Sequence, residues 1–309
     1  MGLATMLAWI QGGGSAAAGG AEEAPDLQGM LMHHLLDGSE LEFQIFGVGP
    51  IIHLDRFHIP PIHLGGLTID LSPTKHVVFL LLAAIVCLAV FLPLARTARS
   101  APKDRAPTGL ANAMEGLILY FRDEVVRRNI GHGADAYTGY ILTLFFFILS
   151  MNVLGLLPFG ATPTGNFMVT GALALITLLV VEISGMRALG FKGYMRTIFF
   201  VPHGLNPAMS VIMLVILTPV ELLGKIAKPF ALMVRLFANM MAGHTLVLSL
   251  LGLIFMFASA GFVVVNGVAV ASVAMVTAIM MLEIFVAFLQ AYIFAMLTAV
   301  FIGLIRHAH

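Results

Sequence analysis

A single cysteine, Cys87, in 309 residues excludes any disulfide within the chain. It sits in an apolar run, and one buried thiol cannot build a redox or metal centre. Charge is scarce too. Asp, Glu, Lys and Arg make up 10% of residues, against about 25% in an ordinary soluble domain. Acids and bases balance at 16 each, so no surplus of either sign points to nucleic acid or an acidic partner. Tryptophan occurs once. No Lys or Arg precedes the weakly apolar first ten residues, which disfavours a signal peptide despite the small-residue stretch 12–20. That segment reads as a flexible external tail.

What fills the chain is apolar. Hydrophobic residues reach 60% and the mean hydropathy is +0.99. The reading is an all-α, polytopic integral membrane protein with about five membrane-inserted helices and one surface amphipathic helix. Met (19) and Phe (23) are plentiful and serve as adaptable packing. Residues 1–76 form an extracytoplasmic region, too broken by polar residues, His and Pro to span a bilayer. His33, His34, His53, His58, His63 and His76 match no standard metal spacing. No metal site or cofactor is read from them.

The membrane domain, 77–309, begins with a span at 77–95 and a basic stretch carrying Arg96, Arg99, Lys103 and Arg105. In 112–130 Leu117, Ile118, Phe121 and Val125 alternate with Arg122, Asp123, Glu124, Arg127 and Arg128, which suits a helix lying on the membrane surface. Spans follow at 137–158 and 167–185, joined by a tight polar turn with Gly160, Pro163 and Gly165. Seven of the 16 Lys and Arg residues lie between Arg96 and Arg128, and Arg187, Lys192, Arg196 and Arg306 add to the same side. That bias puts the N-terminus outside and the C-terminus in the cytoplasm.

Two over-long apolar segments close the chain, 207–258 and 267–305. At ~1.5 Å per residue the first would exceed ~70 Å as one helix, more than twice a ~30 Å hydrocarbon core. It must break, tilt steeply, or both, with Pro219, Gly224 and Pro229 as candidate kinks. Deep within it lies Arg235. A fixed charge at mid-bilayer costs at least ~2.5–3.5 kcal/mol, and a guanidinium does not shed its proton. Structurally, it could snorkel or pair with a buried acid.

At ~100° per residue, Glu221, Lys225, Lys228, Arg235 and Asn239 fall within roughly 40° of Glu221, a polar seam on a greasy helix. His244 lies on roughly the opposite face, and Glu283 and Gln290 share a face of the last segment. His244 is a suitable partner for Glu283, and the pair can hand protons along water. Blander roles exist for each: a core histidine, a Glu221–Lys225 pair one turn apart, and Asn152 and Gln290 as interhelical hydrogen-bond glue. A fixed arginine between two aqueous pockets would stop ions leaking through. They could pass only if a carboxylate ferried them round, and this chain has none to spare near Arg235. The carrier must belong to a partner. A secondary transporter should show an internal repeat, and no second copy of the motif occurs. A haem-binding subunit needs paired histidines on facing spans, and only His244 lies deep in the late ones.

The run Glu221-x6-Lys228-Pro-Phe-Ala-Leu-Met-Val-Arg235-Leu-x2-Asn239-x2-Ala-Gly-His244 closely resembles the signature of subunit a of F-type ATP synthases. Ser150-Met-Asn152-Val-Leu-Gly-Leu-Leu-Pro158, Pro163-Thr-Gly-Asn166-x2-Val-Thr170 and Glu283-x6-Gln290 resemble further parts of that family. The likeness implies a non-catalytic stator subunit of a bacterial inner membrane, without cofactor. Its partners would be the c-ring, b-type peripheral stalk subunits, the rest of the complex and the lipid bilayer. Arg235 would face the ring's ion-carrying carboxylate, flanked by Asn239 and Gln290. His244 and Glu283 would form the outer half-channel with Asn152 on its inlet side, and Glu221 would line the cytoplasmic one. The last two helices would be steeply tilted. Gly224 and Ala231 depart from the family's small hydroxylated residues, and Gly155 stands where some members have an acid.

Overall fold

The computed structural model describes residues 40–42, 51–53, 62–64, 67–69, 74–100, 109–157, 162–199 and 206–307. The chain divides into two units, one of residues 1–75 and 245–278, the other of 76–244 and 279–309. In the first, the described residues before the membrane segments form two short antiparallel pairs. β1 (Glu40–Glu42) pairs with β2 (Ile51–His53), and β3 (Ile62–Leu64) with β4 (Leu67–Ile69). His33, His34 and His58 lie outside the described residues, as does the 12–20 stretch.

The other regular elements among the described residues are helices. α1 is Lys75–Ser100, and α2 is Leu110–Tyr120, continuing through a π-helical stretch, Phe121–Arg127, and a last turn, Arg128–Ile130. α3 is Asp135–Gly155, α4 Phe167–Ile198, α5 Pro207–Met256 and α6 Phe262–Arg306. Five of these are long and apolar enough to cross a membrane. α2 is the amphipathic sixth. It buries Phe121, Val125, Val126 and Ile130 and leaves Asp123, Glu124, Arg127 and Arg128 exposed. Arg127 bonds Asp123 at 2.9 Å and Asp135 at 2.8 Å. The hydrogen bond from Arg122 holds the Asp123 carboxyl below its usual range. At such exposure these pairs contribute little to stability.

α4 runs beyond the 167–185 expected from the apolar run, because the helix resumes after a kink at Gly190 (φ 68°, ψ 164°). A side chain would resist that positive φ, whereas glycine accepts it. α5 holds Pro219 and Pro229 inside one assigned helix of 50 residues. At ~1.5 Å per residue it is ~75 Å long; of the break or tilt that such a length calls for, no break occurs at either proline.

In the second unit the core forms around α3 and α6. Ile141, Phe145, Ile148 and Met151 of α3 are buried with Ala291, Phe294, Ala295, Ala299 and Ile302 of α6. Alanines at 287, 291, 295 and 299 recur every four residues on one face of α6 and end at Gly303. Lipid supplies no hydrophobic drive between helices, so small residues that let backbones approach do the packing. Gly303 lies against the Asn129 carbonyl oxygen with no room for a Cβ. Its φ is unremarkable, so the constraint is space. Arg306 donates to the His132 carbonyl at 2.8 Å and fixes the same end of α6. Gly303→Ala should therefore destabilise the chain by about 1–3 kcal/mol, the usual cost of overpacking. A drop in the thermal unfolding midpoint in detergent is expected, and an unchanged midpoint would contradict this packing.

Candidate functional site

One face of α6 organises the polar residues of the second unit. Glu283, Ala287 and Gln290 are spaced by four and three, so they stack on the buried side of the helix. Glu283 is 5% exposed and Gln290 3%. Each position meets a different element. The Glu283 side chain rests on Gly243 of α5, where a Cβ would overlap its carboxyl group. The Ala287 carbonyl accepts from Asn152 of α3 at 3.2 Å. Gln290 Oε1 accepts from the Asn239 amide of α5 at 3.1 Å.

The short segment after α3 completes the set. Pro163–Gly165 forms a 3₁₀ turn with proline at its start, closed by Gly165 N–H bonding the Thr162 carbonyl at 2.9 Å. This turn buries both Thr162 and Thr164. Thr164 donates to Asn152 Oδ1 at 2.8 Å, and Thr162 Oγ1 bonds the His244 ring at Nε2. Gly155 makes room, because a Cβ there would overlap Thr162. Asn166 then caps α4, its side chain accepting from Met168 N–H at 2.8 Å.

Two sequence expectations change here. His244 does not bond Glu283; its ring goes to Thr162, and both carboxyl oxygens of Glu283 are buried without a hydrogen-bond partner. Gly243, the residue before His244, is the one that lies against the Glu283 carboxyl. The reason is rotational: Gly243 is the α5 residue that abuts Glu283, and the next residue turns ~100° away. Nor does Glu221 pair with Lys225. Lys225 reaches Glu182 of α4 at 3.4 Å instead. Asn152 is fully buried and bridges α3, α6 and the 3₁₀ turn, as the hydrogen-bond reading of that residue expects.

Arg235 stands apart from this network. Leu232, Leu236 and Met240 bury one side of α5, and Arg235 is exposed on the other with Ala231, Ala238, Asn239 and Ala242. It makes no hydrogen bond or ion pair among the described residues. Asn239 lies one turn on and joins the exposed face to Gln290. Glu221, 14 residues before Arg235, is ~21 Å back along α5 and borders a separate pocket with Glu182, Lys225 and Lys228. Sequence reasoning gave no role to Thr162, Thr164, Gly243 or Glu182. The motif runs contained Thr164 and Gly243 as residues, but Thr162 falls between two runs and nothing linear ties it to a histidine 82 positions later.

Five helices long and apolar enough to cross a membrane, a buried polar seam joining α3, α5 and α6, and a cation on an apolar face without a partner among the described residues define a multi-pass membrane protein. The model of the ATP synthase A chain family matches residues 77–303. ATP synthase subunit a of Chloroherpeton thalassium is 44% identical over 273 residues, which covers 88% of this chain and 75% of the relative. ATP synthase subunit a 2 of Chlorobaculum tepidum is 41% identical over 301 residues, covering 97% and 79%. ATP synthase subunit a of Anaeromyxobacter dehalogenans is 41% identical over 296, covering 94% and 73%. The chain belongs to the ATP synthase A chain family.

Two substitutions test the packing of the seam. Gly243→Ala should displace the flexible Glu283 carboxyl at little cost in stability while lowering proton flux through the assembled complex. Unaltered flux would show that the position of the carboxyl is immaterial. Asn152→Ala leaves the Thr164 hydroxyl buried without its acceptor and should cost about 1–3 kcal/mol. The fall should be visible as a lower unfolding midpoint in detergent.

Proposed function

We propose that this chain is the stator channel subunit of a proton-translocating ATP synthase. It passes protons through two offset half-channels to and from a carboxylate on the c-ring. The observation that carries this reading is Arg235. An obligate cation on an apolar helix face needs a counter-charge, at a cost of at least ~2.5–3.5 kcal/mol in its absence. The described residues supply none. The alanines around Arg235 leave space for another helix to approach closely, and a ring carboxylate is the partner whose charge and mobility fit.

Protons enter from outside past Glu283 and His244, with Asn152 on the inlet side, and neutralise a ring carboxylate. Glu283 suits this role because its buried carboxyl has no internal hydrogen bond to break before it takes or gives a proton. The neutral ring site travels through lipid for almost a full turn and releases its proton toward Glu221. Arg235 favours the deprotonated ring site as it arrives and repels any proton crossing directly. Asn239 and Gln290, bonded to each other, hold the surface beside it. A potential of ~150 mV supplies ~3.5 kcal/mol per charge, so several protons are needed for each nucleotide made.

In this reading residues 77–309 are the membrane domain of a bacterial inner-membrane complex. The 1–76 region lies outside the cell membrane and the C-terminus in the cytoplasm. Peripheral stalk subunits of b type hold the chain against ring torque. It binds no nucleotide and performs no catalysis itself. Arg235→Ala should abolish ATP synthesis driven by a proton gradient, measured in inverted vesicles with the complex fully assembled. Normal ATP-driven pumping in that variant would overturn the role.

A further inference from the structure

Charge gathers at a second place within the helices of the second unit. A pocket of about 180 Å³ between α4, α5 and α6 is bordered by Glu182, Glu221, Lys225 and Lys228, with Phe301 and Ile305 among its apolar walls. Lys225 Nζ lies 3.4 Å from Glu182 Oε2, 3.3 Å from the Tyr194 hydroxyl and 4.4 Å from the centre of the Tyr194 ring. The Tyr194 hydroxyl donates to the same Glu182 oxygen. The ion pair is largely shielded from solvent, its side chains 10% and 18% exposed. Lys228 turns toward the Phe301 ring at 5.7 Å.

The set of charges narrows what the pocket takes. Two ammonium groups repel a metal ion and two carboxylates repel an anion, so neither ligand class fits. At roughly 30 Å³ per water the volume holds several waters, and a proton crosses such a space without binding tightly.

We propose that Glu182 is a positioning residue of the proton outlet. With Tyr194 it holds the Lys225 ammonium against α4, so that this charge beside the pocket leading from Glu221 is compensated by a carboxylate. An unpaired ammonium so shielded from bulk solvent would raise the energy of every proton passing it. Glu182 needs no proton of its own for this, because it acts through Lys225. The proposal rests on the half-channel reading, in which Glu221 lines the cytoplasmic side.

The test is passive proton flux, driven by an imposed potential, through the membrane sector of the assembled complex in liposomes, normalised to assembled complex. Glu182→Gln should slow flux about tenfold, equivalent to ~1.4 kcal/mol on the barrier. Lys225→Gln should stay within about twofold of wild type, and the double variant should return to within about threefold. Wild-type flux in Glu182→Gln overturns the proposal, as does a double variant no faster than Glu182→Gln. A merely structural pair would make both single variants lose assembled complex with flux per complex unchanged, which also overturns it. A wild-type sector that passes no protons removes the half-channel reading itself, and this proposal with it.

Discussion

The unpaired guanidinium of Arg235 is the constraint on which the rest of the structure turns. Burying it in the chain's own bundle would need a carboxylate opposite, and a fixed internal pair would lock it away from any moving partner. The fold avoids this by facing Leu232, Leu236 and Met240 inward and leaving Arg235 among alanines on the outer side of α5. The nearest polar support is indirect, through Asn239 and its bond to Gln290. The charge is thus left to be satisfied from outside.

Behind that face, α6 solves a different problem. Polar side chains in a bilayer protein are expensive unless they find partners. Gln290 and Asn152 do, and they tie α3, α5 and α6 together with the 3₁₀ turn at Pro163. Glu283 does not: both oxygens of its buried carboxyl lack a hydrogen-bond partner among the described residues. Its place is made by the absence of a side chain at Gly243, as the place of Thr162 is made by Gly155. The departure from an acid at position 155 has a local reason here: that space belongs to the threonine that bonds His244.

Much of this was legible in the linear chain. The spans, the surface helix and the isolation of Arg235 follow from hydropathy and from the rarity of charge in apolar runs. The Asn239–Gln290 neighbourhood was available only through the family resemblance. Other features were hidden for physical reasons. Helical periodicity places residues on a face but does not say which neighbour that face meets, so Lys225 seemed equally able to serve Glu221 and in fact reaches α4. Chemistry alone makes Glu283 a suitable partner for His244, whereas Thr162, 82 residues upstream, takes its ring. The continuation of α4 past Gly190 was hidden because glycine marks both ends and kinks.

The most direct measurement is the position of Arg235 in density of the assembled complex. The account predicts its guanidinium turned toward the ring, within about 4–6 Å of one ring carboxylate, the range in which opposite charges set each other's ionisation. A guanidinium paired with an acid of its own chain, or facing lipid with no carboxylate in reach, would contradict it.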